Sequence, residues 1–99
     1  MRRALFVFLV LLFPSSVSAD SLEEIFERAN AAYFRGDFDA AASDYRRLVD
    51  LGVVDADVSY NLATAEARRG RYGVAAQFYE RTLWLRPGDA DAHDGLEAA

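Results

Sequence analysis

Gly36-Asp37-Phe38-Asp39-Ala40-Ala41-Ala42-Ser43-Asp44-Tyr45 returns as Gly70-Arg71-Tyr72-Gly73-Val74-Ala75-Ala76-Gln77-Phe78-Tyr79, 34 residues on and without a gap. The same offset relates Ala29 to Ala63, Arg47 to Arg81, Val49 to Leu83 and Leu51 to Leu85. One fixed offset held over that length is the mark of an internal repeat, and this period suits stacked helix–turn–helix units. The residue types at matched positions give the reason. Gly36 and Gly70 follow helical stretches, where reversal of the chain favours a left-handed glycine. Phe38 and Tyr72 are large, Ala41 and Ala75 small, and Tyr45 and Tyr79 large again. Large, small, large at helical spacing describes two interlocking helices.

A small residue, a glycine turn, an aromatic, an alanine, a second aromatic and a closing proline make a pattern that resembles the tetratricopeptide repeat. Residues 56–89 carry it as Leu62, Ala63, Gly70, Tyr72, Ala75, Tyr79 and Pro87. Residues 22–55 depart more: Arg28 stands where Leu62 stands, Leu48 replaces an alanine, and no proline closes the unit. A third unit begins at Ala90, so residues 90–99 form a partial or capping helix. The resemblance implies an all-α, right-handed solenoid over residues 20–99.

Residues 1–19 read differently. Arg2 and Arg3 precede ten apolar residues, Ala4 to Phe13, followed by Pro14 and by small residues at Val17-Ser18-Ala19. Charge, length and cleavage chemistry are those of a secretory signal peptide. As a helix, ten residues rise about 15 Å, roughly half a bilayer core. Export is expected, with the mature chain starting at Asp20 in a periplasm or cell envelope.

Helix signals divide the remainder into five. Ser21 and Glu24 form a capping box before an apolar stripe of Ile25, Phe26, Ala29, Ala32 and Tyr33 that runs to about Arg35. The second helix spans about Asp39 to Asp50, with Ala41, Ala42, Tyr45, Leu48 and Val49 inward. Asp55 caps the third, whose core positions are Val58, Leu62, Ala63 and Ala65. The fourth buries Val74, Ala75, Phe78, Tyr79 and Leu83 and stops at Pro87. Asp89 caps the fifth. Trp84 is expected beneath that fifth helix. Ala92 and Leu96 are expected on an end face with nothing to cover them, because repeats bury their faces only against neighbours.

Composition narrows the chemistry. The chain has 99 residues and a formal charge of −5, with no cysteine. Without Arg2 and Arg3, 9 arginines face 16 carboxylates, giving −7. So acidic a surface repels phosphates and excludes nucleic acid as an expected partner. The only histidine, His93, lies beside Asp91 and Asp94 on the terminal helix and reads as an exposed side chain. Ser43 and Ser59 have no histidine at a matching spacing, and Gly70-Arg71-Tyr72-Gly73 lacks the lysine and preceding strand of a phosphate loop. No catalytic residue, cofactor site or metal site is expected, and the chain does not read as an enzyme.

A solenoid does offer a long curved surface. In the repeats it resembles, the first helix of each pair lines the concave side. Carried onto this chain, the resemblance implies a partner-binding groove of Glu23, Glu27, Asn30, Phe34, Asp57, Tyr60, Asn61, Thr64 and Arg68, rimmed by Asp91 and Asp94. Phe26 and Tyr33 also face that way but complete the core stripe. Aromatics among carboxylates suit a protein or peptide segment with apolar and basic character. Chaperone-binding members grip a C-terminal carboxylate with asparagines and basic residues. Asn30 and Asn61 match the asparagines, but Phe26, Asp91 and Gly95 occupy the basic positions, so that clamp is not expected.

A leader, then Phe26-x-x-Ala29-Asn30-x-x-Tyr33, Tyr60-Asn61-Leu62-Ala63 and Phe78-Tyr79-Glu80-Arg81, is similar to the exported Bat-type proteins of bacterial aerotolerance operons. Those carry two or three repeats, a membrane helix and a further domain. The reading is therefore an exported adaptor that binds a peptide segment or subunit in its groove. The alternatives are a self-associating structural module, held through Leu96 or Trp84, and the N-terminal fragment of a longer protein reaching the membrane through its C-terminal part or an uncleaved leader.

Overall fold

The computed structural model describes residues 20–99, and the signal peptide expected over residues 1–19 lies outside them. The described residues form five helices in chain order: α1 (Leu22–Phe34), α2 (Phe38–Asp50), α3 (Ala56–Arg68), α4 (Tyr72–Leu85) and α5 (Ala90–Ala98). Each packs chiefly on its sequence neighbours, α1 on α2, α2 on α3, α3 on α4 and α4 on α5. The result is the all-α helical repeat stack that the 34-residue offset demands.

Three turns end in one way. Gly36, Gly52 and Gly70 have φ of 81°, 93° and 81°. The amides one residue later, Asp37, Val53 and Arg71, bond back to Ala32, Leu48 and Glu66 carbonyls at 2.9, 3.0 and 2.8 Å. This closes each helix with a left-handed glycine and a six-to-one hydrogen bond, using carbonyls that would otherwise be orphaned. Four of the five helix starts are satisfied by side chains: Ser21 with Glu24 as a full capping box, then Asp37, Asp55 and Asp89, while Arg71 before α4 makes no side-chain cap. Asp37 as cap moves the start of α2 one residue ahead of the expected Asp39.

The core is built from small residues on one helix facing rings and branched chains on the next. Ile25, Ala29, Ala32, Ala41, Tyr45, Leu62, Ala63, Ala65 and Ala75 are fully buried. Phe26, Tyr33, Val49, Val74 and Leu83 pack against this core while half-exposed. Arg28, the main departure in the first unit, has a clear cause. Leu62 is buried on α3, which packs on the preceding α2, but among the described residues no helix precedes α1. The open end is instead polar: Arg28 pairs with Asp44 at 3.1 Å and Asp20 at 3.2 Å, and Asp20 also holds Arg47 at 3.2 Å. The Arg28 guanidinium pulls the Asp20 carboxyl below its ordinary range.

Expectations for Trp84, Ala92 and Leu96 are corrected, and a buried carboxylate is added. Trp84 is not beneath α5; it is 87% exposed. The buried positions of α4 are Ala75, Phe78, Tyr79 and Thr82, and Trp84 lies about 200° round the helix from Thr82 at roughly 100° per residue. Ala92 is fully buried and Leu96 packs on the core, so neither stands on a bare end face. They are covered because α5 folds back onto α4, turning its apolar side inward. Glu66, which the sequence reading left aside, is buried at 3% exposure, with Arg69 at 2.7 Å and Arg46 at 3.9 Å. Arg69 continues to Asp39 at 2.8 Å, tying the end of α3 to the start of α2.

α5 approaches closely because Gly95 has no side chain. A Cβ there would overlap the Tyr79 ring, with Cε2 only 2.8 Å away, whereas one at Gly73 on α4 would meet nothing within 4 Å. Alanine exceeds glycine in helix propensity by about 1 kcal/mol, while overpacking costs about 1–3 kcal/mol. Gly73→Ala is therefore expected to raise the melting temperature and Gly95→Ala to lower it. Thermal denaturation of the two variants checks this, since propensity alone would move both upward.

Candidate functional site

Each first helix of a pair turns one row of side chains away from the core. From α1 come Glu23, Glu27, Asn30 and Phe34, and from α3 come Asp57, Tyr60, Asn61, Thr64 and Arg68. All nine expected groove residues are exposed or half-exposed. Their arrangement is ordered by two tyrosines from the second helices, Tyr45 and Tyr79, which the sequence pattern places in the core as packing rings without assigning their hydroxyls a partner.

Tyr45 is fully buried in its ring, and its hydroxyl reaches the α1–α3 junction. The hydroxyl donates to Asn30 Oδ1 and accepts from Asn61 Nδ2, the latter at 3.1 Å. A tyrosine has one proton, so one amide must offer its oxygen and the other its nitrogen. That commitment leaves Asn30 with an NH₂ group and Asn61 with a carbonyl oxygen for other partners. The second tyrosine repeats the design with substitutions at the same offset. Tyr79 bonds Thr64, the counterpart of Asn30, at 2.9 Å, and its ring meets Tyr60 edge-on at 5.7 Å. Gly95 stands in the place of Asn61 and receives the ring instead of a hydrogen bond. The signal was present in the sequence: Asn30 with Tyr45 and Thr64 with Tyr79 are the same pair of positions, one period apart.

The remaining residues divide into engaged and free. Asp57 is held by Arg86 at 2.7 Å, and Arg86 also contacts Asp89 at 3.1 Å, so this carboxylate is partly neutralised. The bond to Asp57 is the main reason the Arg86 guanidinium is pushed above its ordinary range. Arg68 lies over the Phe38 ring at 5.1 Å, anchored by a cation–π contact. Phe34 is 85% exposed and touches Tyr33 edge-on at 5.9 Å. Tyr60 is half-buried against Tyr79, so it supports the fold as well as facing outward. Glu23 borders an apolar depression of about 270 Å³ shared with Leu22, Phe26, Val53 and Val58.

This surface can pair with a polypeptide backbone, pack against apolar side chains and attract positive charge. Among the described residues, no group of three or more His, Asp or Glu side chains is placed to hold a metal ion. His93 is exposed, with Nε2 at 3.1 Å from the Pro87 carbonyl oxygen. No described helix is long and apolar enough to cross a membrane.

Burial raises the Tyr45 hydroxyl to about 12, partly countered by the Asn61 hydrogen bond. Burial also raises Tyr60. A folded-state value above the unfolded value of about 10 means that folding favours the protonated phenol. Its contribution is complete below pH 10 and is lost as pH climbs towards 12. Tyr45→Phe is expected to cost about 1–2 kcal/mol at neutral pH through the lost hydrogen bonds and to flatten this alkaline loss. Denaturant titrations at neutral and alkaline pH measure both effects, and an unchanged alkaline slope would remove Tyr45 as the cause.

The tetratricopeptide repeat family model matches residues 26–92. A relative is the tetratricopeptide repeat and J domain-containing co-chaperone DNJ1 of Cryptococcus neoformans var. grubii serotype A, 32% identical over 76 residues. That alignment takes in 77% of this chain but spans only 15% of the fungal protein. With the 34-residue period, the glycine turns and five stacked helices, the match shows that this chain belongs to the tetratricopeptide repeat family.

Proposed function

We propose that the chain is an exported adaptor that binds an extended polypeptide segment across the face of α1, α3 and α5. Tetratricopeptide domains are protein–protein interaction modules, and the finer reading rests on one observation. Tyr45 fixes Asn30 and Asn61 so that a donor and an acceptor are presented together, matching the N–H and C=O of an extended backbone. Phe34 supplies an exposed ring beside that pair. Glu23, Glu27, Asp91 and Asp94 add negative charge opposed mainly by Arg68, because Arg86 is occupied with Asp57. A segment with apolar and basic side chains suits all three features.

Export follows from the leader reading of residues 1–19, and the Bat-type resemblance gives it a setting in a bacterial periplasm or envelope. The fungal relative is named a co-chaperone, which fits a module that engages other polypeptides. Attachment to a membrane, on this reading, is supplied by parts of the protein other than the repeat stack.

Phe34 and Glu27 are the cleanest probes, since both are exposed and neither carries a hydrogen bond that the fold uses. An array of synthetic peptides varied in aromatic and arginine/lysine content should show preferential binding of peptides rich in both. Phe34→Ala is expected to weaken that binding by roughly tenfold, a typical loss for an interface aromatic, with the helical circular dichroism unchanged. Glu27→Lys should reverse the charge preference. Indifference of the array to both substitutions would reject this face.

A further inference from the structure

The outward side of α4 is chemically unlike the rest of the surface. Trp84 is 87% exposed, with Val54 at 75% and Leu85 at 42% nearby. These residues do not contribute to the face described above, which is formed by the other helix of each pair. Trp84 stands as a ridge between two open depressions. One, of about 660 Å³, is bordered by Val54, Phe78, Arg81 and Leu85; the other, of about 420 Å³, by Glu80 and Leu83. Beside the first, the Arg46 and Arg81 guanidinium groups lie over the Phe78 ring at 5.1 and 5.3 Å.

We propose that this face of α4 is a two-fold interface between two copies of the chain. A closed two-fold contact requires one patch to carry both the projection and the recess that receives it. Trp84 and the depression beside it meet that requirement within a single helix. Charge agrees. The chain carries −5 as a whole, so two copies repel except where charge cancels locally. Glu80 and Arg81 are adjacent on α4 at the centre of the strip that runs from Gln77 to Trp84. With two α4 helices antiparallel, Glu80 of one copy faces Arg81 of the other, and both pairs form at once. Each Trp84 then lies across the partner copy's Gln77–Phe78 end. A tryptophan buries roughly 150–250 Å² and is the residue type most often dominant at interfaces. Of the two positions from which self-association was expected, Leu96 and Trp84, the contact uses Trp84 on α4 and not the α5 end face, and it leaves the face of α1, α3 and α5 open in both copies.

Trp84 is the chain's single tryptophan, so its fluorescence reports on this surface alone. Sedimentation of the full chain over a concentration series should show a monomer–dimer equilibrium, with Trp84 emission moving to shorter wavelength as dimer forms. Trp84→Glu should raise the dissociation constant by roughly tenfold or more while helicity is kept, since the side chain is exposed. Glu80→Arg and Arg81→Glu should each weaken the dimer, and the double exchange should restore it. A monomer at all concentrations, larger open assemblies, association indifferent to Trp84→Glu, or a double exchange no better than the singles would each overturn the proposal. Phe34→Ala, on the other face, should leave the dimer unchanged.

Discussion

One buried tyrosine per repeat joins three helices, and the rest of the stack depends on it. Tyr45 rises from α2 and bonds α1 through Asn30 and α3 through Asn61. Tyr79 rises from α4, bonds α3 through Thr64 and meets α5 at Gly95. A helical pair cannot bury both of its faces alone, so its stability is shared with the next pair. Burying each ring contributes roughly 2–3 kcal/mol, and each hydrogen bond about 1 kcal/mol more. The surface ion pairs are weaker by comparison: Arg28, Arg47 and Arg86 are about half-exposed, and such pairs contribute at most about 1 kcal/mol. They tidy the open end of the stack and the α4–α5 turn without holding it together.

On the proposed function, the same tyrosines connect stability to binding. The hydroxyl that closes the α1–α3 junction also decides which atoms of Asn30 and Asn61 remain for a ligand. A helix row is thereby turned into a surface with fixed hydrogen-bonding directions, flanked by Phe34 and by carboxylates. In the second unit the polar partner is Thr64 and the neighbouring position is Gly95, so the amide pair occurs once. On the proposed function, recognition of a backbone unit is correspondingly centred between α1 and α3, and the α3–α5 junction offers Tyr60 and acidic charge.

The repeat, the glycine turns, three of the helix caps and most of the core were legible in the sequence, because each depends on residues close along the chain or one period apart. Gly36 and Gly70 needed only their position after an apolar stripe. Ser21, Asp55 and Asp89 needed only the residues they cap. What escaped depended on where a neighbouring helix lies. Trp84 shares its stretch with the core positions Thr82 and Leu83, and only the packing of α5 shows that it is left outside. Ala92 and Leu96 were judged from the absence of a following repeat, whereas the fold-back of α5 covers them. Glu66 was hidden because its burial rests on Arg69 and Arg46 arriving from two directions. For the candidate surface, the residue types and their helix row could be read ahead, but not their engagement. Asp57 is held by Arg86 and Tyr60 by Tyr79, contacts that join residues 29 and 19 positions apart without any periodic mark.

Native-state hydrogen exchange tests the tyrosine account most directly. If Tyr45 binds the two units into one cooperative body, the slowest amides of α1 and α3 should exchange through a common opening with equal free energy. Tyr45→Phe should then split them, with α1 opening at lower cost than α3. Independent opening of α1 and α3 in the unaltered chain, or no split in the variant, would contradict the claim that this contact organises the stack.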